Sequence, residues 1–236
     1  MTDLDHAVVL ITDANGGLGR EFVRQALAGG AAKVYAAARR PQTWDDARVV
    51  PLPLDVTNPQ SITSAAKVAG DVTVVINNAG IAHRGSYLET TLADVRAIFE
   101  TNTFGPLEVT RAFAPILAAN GGGAVINIAS VLSWLARGAA YSASKAALWS
   151  ITDALRLELK GQGTQVVGAY LGYADTPMTT DVTAPKSDPA DIVAAIYAGL
   201  AAGEPEVLAD HTSRSIRAAL SGPLTNLYPE LTPATV

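Results

Sequence analysis

The 236-residue sequence has no cysteine, three histidines and only 17% charged residues. Without cysteine there is no disulfide, no thiolate zinc site, no iron–sulfur cluster and no thiol nucleophile. His6, His83 and His211 stand far apart and lack a spacing such as H-E-x-x-H, so no metal site is expected. Basic residues are neither abundant nor clustered: 17 Lys and Arg against 22 Asp and Glu leave a net charge of −5, which argues against a nucleic-acid partner. No stretch approaches the roughly 18 uninterrupted apolar residues of a membrane span. The opening M-T-D-L-D-H-A-V-V-L-I-T places acids where a signal peptide needs a basic region. No membrane partner is therefore expected, and a cytoplasmic location fits the lack of cysteine. A hydrolase lacks its G-x-S-x-G elbow here.

What is present is a well-stocked core. Hydrophobic residues make up 49% of the chain and the mean hydropathy is +0.22, values that exclude extensive disorder. The length suits one domain over residues 1–236. Apolar runs of strand length at 8–12, 33–38, 49–55, 72–77, 124–128, 165–169 and 206–208 alternate with helical patterns at 17–28, 60–68, 91–119, 141–160 and 189–201. Several of these runs are near-continuously apolar, as expected for parallel strands covered on both faces. The alternation predicts an α/β fold, a single doubly wound Rossmann-type domain whose seven-stranded sheet is mainly parallel with helices on both faces. Stretches 176–189 and 222–233 read as loop and tail, the former a candidate mobile lid.

In such a sheet, ligands are expected where strand C-termini meet helix N-termini. The first strand runs into T-D-A-N-G-G-L-G-R, with Gly16, Gly17 and Gly19 opening a helix. Glycines there let backbone N–H groups approach a pyrophosphate at the positive helix end. The plain G-x-G-x-x-G fingerprint fails because Phe22 takes its third glycine. By itself the loop reads equally well as a structural glycine turn. It fits the T-G-x-x-x-G-x-G spacing of one family, with Asp13 in place of the first glycine.

Further segments carry that likeness along nearly the whole chain: L-D-V at residues 54–56, N-N-A-G at 77–80, N-x-x-G at 102–105, N-I-A-S ending at Ser130, Y-S-A-S-K at 141–145 and L-G-Y-A-D-T at 171–176. In order and spacing the sequence resembles the short-chain dehydrogenase/reductase family. The resemblance implies a nicotinamide cofactor, a catalytic set of Asn102, Ser130, Tyr141 and Lys145, and a small carbonyl or alcohol substrate. It implies cofactor contacts from Thr12, Asn15, Gly16, Gly17, Leu18 and Gly19, from Asp55 and Val56 around the adenine, and from Asn78, Ala79 and Gly80 on the adenosine side. It further implies that Gly172, Ala174 and Thr176 lie by the carboxamide, that Lys145 holds the nicotinamide ribose, and that Asn102 supports a water leading to bulk solvent. Long helices like those at 91–119 and 141–160 pair subunits in the family, so a homodimer or homotetramer is expected.

The chemistry of the pair can be argued separately. Tyr141 and Lys145 are four apart and share one helix face. A phenol with a pKa of about 10 is a poor acid–base group at neutral pH, and a nearby ammonium is expected to lower that value. Tyr141 can then protonate a carbonyl oxygen, or deprotonate an alcohol in reverse. Ser130, at a strand end, would hydrogen-bond the same oxygen, or else merely cap the strand. Ser130 precedes Tyr141 by eleven positions, fewer than is usual in the family, so Ser133 stands as a substitute and the pocket near Trp134 and Arg137 should be reshaped. Leu171 replaces the family's usual proline before Gly172. Where an acidic residue about 20 positions beyond the glycines would bind a ribose 2′-hydroxyl, this chain has Arg39 and Arg40. Two guanidinium groups suit a 2′-phosphate, so NADP(H) is favoured over NAD(H), although either arginine can also be read as a solvated charge.

These features point to NADP(H)-linked reduction of a ketone or aldehyde, or oxidation of the matching alcohol. The alternative is a non-catalytic nicotinamide-binding sensor or scaffold, motivated by Asp13 and the shortened loop. A dehalogenase-like variant is disfavoured because Lys145 is retained.

Overall fold

Strands β1 (Val8–Thr12), β2 (Lys33–Ala38), β3 (Val49–Pro53), β4 (Val74–Asn77), β5 (Ala124–Ile128), β6 (Gln165–Tyr170) and β7 (Glu206–Leu208) form one sheet in the order β3-β2-β1-β4-β5-β6-β7. Every pairing in it is parallel. The structure, a computed structural model, describes residues 2–83 and 85–232.

Alternation along the strands explains the two covered faces. Val9 and Ile11 of β1 share a core with Phe22 and Val23 of α1 (Gly17–Ala28) and Ile192 and Ile196 of α6 (Pro189–Ala202). Leu10, between them, points the other way into a core with Ile62 of α2 (Pro59–Val68), Phe113 of α4 (Gly105–Ala119) and Leu155 of α5 (Ala140–Glu158). A one-residue slip would exchange the two sets. Fully burying a side chain such as Phe22 or Phe113 is worth about 2–3 kcal/mol.

Several boundaries depart from the sequence reading. β3 ends at Pro53, so Asp55 leads a turn, and β4 starts at Val74. The helix expected over 91–119 is two helices, α3 (Leu92–Phe99) and α4, joined by a π-turn at Glu100–Phe104 that carries the buried Asn102. An unforeseen helix, α7 (His211–Ala219), follows β7; Asp210 caps it, accepting from Ser213 N at 2.7 Å. The 176–189 stretch holds a 3₁₀ turn at Pro177–Thr179 and an Ala174–Ser187 bridge. The tail forms two 3₁₀ turns, Leu224–Asn226 and Pro229–Leu231, and its last expected residue, Pro233, lies outside the described residues. Among the described residues no helix is long and apolar enough to cross a membrane.

Candidate active site

Strand order reverses between β1 and β4, where a crevice opens at the strand C-termini. Thr12 joins its two edges. Its hydroxyl accepts the amides of Asn78 at 3.0 Å and Ala79 at 2.9 Å, while the Asn78 side chain donates to the Thr12 and Asp13 carbonyls. At Gly19 an added Cβ would collide with the Asp13 carbonyl, so glycine lets α1 pack close to the β1 turn. Gly17 has φ +52°, and a Cβ there would stand 3.5 Å from Thr176, which brings the end of the β6 turn to the glycine loop.

Two cavities of about 530 and 570 Å³ meet along this crevice. Asp13, Ala38 and Arg39 line both, Asn15 and Arg40 the first, and Asp55, Val56, Ala79 and Gly80 the second. Asn15 donates to the Arg40 carbonyl at 2.7 Å, and its own Oδ1 is buried without a partner. Asp13 takes the left-handed backbone, φ +53°. Crowding by protein raises its carboxyl pKa, and the Arg39 charge opposes that rise. Asp55 is shifted downward by two hydrogen bonds from Thr57 and by the Arg39 charge.

A dinucleotide fits this end. A Cβ at Gly16 would meet open space, no side chain caps α1 and no acid occupies its first turn, which leaves helix amides free for a phosphate. Leu18 lies half-buried in that first turn.

At the other end β5 delivers Ser130 and α5 delivers Tyr141 and Lys145. Ser130 Oγ accepts from Leu132 N at 3.1 Å, donates to the Leu171 carbonyl at 3.5 Å, and stands near enough to the Tyr141 phenol to pull its pKa downward. It therefore caps the strand end and faces the phenol at once. Ser133 Oγ donates to the Lys145 carbonyl at 3.0 Å, inside the loop. Of the two serines, Ser130 is the one beside Tyr141.

Burial pushes the Tyr141 phenol up to about 12, against the Ser130 hydrogen bond, and the neighbouring Tyr173 adds to the rise. Burial also pulls Lys145 down to about 8. In the sequence reading Lys145 lowers the Tyr141 pKa; in the structure burial is the larger influence on the phenol. Lys145 Nζ donates to the Ile128 carbonyl at 2.7 Å and lies 5.7 Å from the ring centroid of Tyr141. Asn102 holds Ile81 through both backbone groups, at 2.8 and 2.9 Å, and donates to Ser144 Oγ. A Cβ at Gly80 would come within 3.4 Å of Asn102 Oδ1 and 3.7 Å of Lys145 Nζ, so the N-N-A-G turn closes on both.

The aromatic residues divide. Trp134 stacks on Tyr170 and meets Trp149 edge-on in a core cluster, whereas Tyr173 is exposed beside Tyr141. Sequence reasoning missed Asp210, whose buried carboxylate accepts the Gly172 amide at 2.7 Å and holds the turn leading to Ala174 and Thr176. The D-H-T-S string at 210–213 was the available signal for a helix cap, though not for that contact.

Residues 7–187 match the family model described as short chain dehydrogenase. The ketoacyl reductase HetN of Nostoc sp. is 36% identical over 204 residues, covering 79% of this chain and 71% of that protein. A short chain dehydrogenase from Burkholderia cenocepacia, solved in complex with NADP, superposes with a TM-score of 0.91 at 36% identity, over 98% of this chain and 100% of the other. A 3-ketoacyl-(acyl-carrier-protein) reductase from Brucella melitensis, complexed with NADH, has the same fold at a TM-score of 0.81 and 24% identity, over 87% of this chain and 97% of the other.

Proposed function

The chain belongs to the short-chain dehydrogenase/reductase family, and from that premise we propose that it is an oxidoreductase acting on a ketone or aldehyde, or the matching alcohol, with NADP(H) favoured over NAD(H). The observation that carries this reading is Ser130 beside the Tyr141 phenol, with Lys145 close to the same ring, while Arg39 and Arg40 line the cavity beside the glycine loop. Gly16, Gly17 and Gly19 with the α1 amides would hold the pyrophosphate, Arg39 and Arg40 the 2′-phosphate, and Lys145 the nicotinamide ribose. When bound, the cofactor supplies or accepts the hydride.

The protein supplies the proton. Burial keeps Tyr141 protonated at neutral pH, the state that donates to a carbonyl oxygen. Ser130 can turn its hydroxyl to the same oxygen at small cost, because its bond to the Leu171 carbonyl is at the outer limit of hydrogen bonding. Phe104, the last residue of the π-turn, and Leu157 of α5 are exposed and suit the pairing of subunits in a homodimer or homotetramer. The proposed setting is the cytoplasm.

NADPH consumption against a panel of ketones, aldehydes and a ketoacyl thioester, with NADH as control, tests the reading. Turnover that prefers NADPH is expected. Tight NADPH binding with no turnover on any member would replace the enzyme by a sensor, and failure to bind either dinucleotide would remove both.

A further inference from the structure

The family match stops at residue 187, yet the chain beyond it returns to the active site. Tyr228 accepts the Ala136 amide at 2.6 Å. Arg137 pairs with Glu230 at 2.9 Å, donates to the Leu227 carbonyl at 3.4 Å and lies 5.4 Å from the Tyr228 ring centroid. One short tail segment therefore grips two consecutive residues of the shortened Ser130–Tyr141 loop. The same pairing engages the Arg137 charge, which would otherwise suit an anchor for an anionic substrate.

Next to the gripped pair the backbone is strained. Ala139 has φ +44° and ψ −119°, a conformation that L-residues avoid. Strain of this kind persists only where surrounding contacts over-determine it. Ala139 also starts α5: its carbonyl accepts the Ala143 amide at 3.1 Å, and no side chain caps that end. Tyr141 sits in that first turn. From inside, the loop is held by Ser133 on the Lys145 carbonyl and by Ser142 Oγ on the Gly138 amide; from outside, it is held by the tail.

We propose that Tyr228 and Glu230 are positioning residues, which act through Ala136, Arg137 and Ala139 to hold the Tyr141 phenol against Ser130 for proton transfer. The proposal rests on the oxidoreductase reading above. It assigns the tail a share in turnover and none in dinucleotide binding, because its contacts lie at the catalytic end only.

The test uses full-length Tyr228→Phe, Arg137→Glu and the charge-reversed pair Arg137→Glu with Glu230→Arg. Steady-state carbonyl reduction, NADPH titration and hydrogen exchange are measured on each. Tyr228→Phe and Arg137→Glu are expected to lower kcat about five- to tenfold, as a slightly displaced catalytic group does, and to speed exchange at the Ala143 amide. The NADPH Kd should stay within about twofold, and the reversed pair should restore kcat to within about threefold, as a re-formed ion pair predicts. Unchanged kcat in folded variants, or a Kd that weakens in step with kcat, would overturn the proposal. If Arg137→Glu does not fold, Glu230→Gln takes its place: a lowered kcat with unchanged Kd supports the proposal, and an unchanged kcat overturns it. A wild type inert toward every carbonyl would sink the oxidoreductase reading, while exchange at Ala143 would still decide the strap: unchanged rates in Tyr228→Phe would refute it and faster rates would support it.

Discussion

At the adenosine end of the groove, Asp13, Arg39 and Arg40 stand exposed, with Asp55 only partly covered. At the catalytic end, Lys145 is 4% exposed and the Tyr141 oxygen is crowded by protein, so both pKa values move far from their ordinary ranges. The contrast separates recognition from chemistry. Exposed charges can be rearranged cheaply and are screened by salt, which suits selection among ligands by their charge. Buried groups are fixed in place before substrate arrives, at a cost in stability, which suits proton transfer. Changes at one end should move affinity, and changes at the other should move turnover.

The sharpest way to break that division is Tyr141→Phe. It should lower carbonyl reduction by at least about 100-fold, the scale of a lost general acid, with NADPH binding retained in a fluorescence titration. Ser130→Ala should follow it and Ser133→Ala should fall well short, since only Ser130 meets the phenol. Loss of binding in Tyr141→Phe would mean that the two ends are not separable. From the other side, Arg39→Ala should weaken NADPH by about ten- to 150-fold, the range of one charge-assisted hydrogen bond, and NADH far less, with kcat at saturating cofactor unaltered. Equal losses for both dinucleotides would dissolve the phosphate argument.

Lys145 sharpens the comparison through stability. Its folded pKa of about 8 lies below the ordinary 10.5, so the unfolded chain holds a proton that the folded site gives up. Below pH 8 the folded state carries the full cost of a buried ammonium, and that cost fades as pH rises from about 8 to 10.5. Lys145→Met should therefore be more stable than wild type at pH 7, by about 1–2 kcal/mol once the lost Ile128 bond is counted. Its lead should shrink toward pH 10.5 in urea unfolding. A lead that stays flat with pH would show that Lys145 is charged at little cost.

The smallest effect is expected at Asp13. Glycine would relieve the left-handed backbone and remove a negative charge from the phosphate side of the groove. Asp13→Gly should then tighten NADPH by about 1 kcal/mol. Weaker binding in calorimetric titrations at low and high salt would make the aspartate a supporting ligand instead.

Much of the fold was legible because local signals agree. β1, β2, β5 and β7 fall where apolar-rich runs meet Gly or polar residues, and α1 begins at the glycine loop. The π-turn was hidden because E-T-N-T-F contains no breaker; the turn is a shift of hydrogen-bond register around Asn102, which side-chain periodicity does not record. α7 was hidden by its polarity. In the site, motifs pointed to Ser130, Tyr141 and Lys145, but the pKa values depend on burial, which the four-residue Tyr141–Lys145 spacing does not record. Asp210, Tyr228 and Glu230 were beyond reach because their partners lie about 40 to 90 residues away in the chain.

Thr12 has a mechanical consequence. One buried hydroxyl accepts two amides from the β4 turn and also contacts the Ile76 carbonyl at 3.4 Å. Splaying the crevice would break both amide bonds together, at a net cost of about 1 kcal/mol each. The glycine loop and the N-N-A-G turn consequently move as one jaw, and the width of the cleft is set at the root of that jaw rather than along its rims. A ligand that stills either turn stills the other.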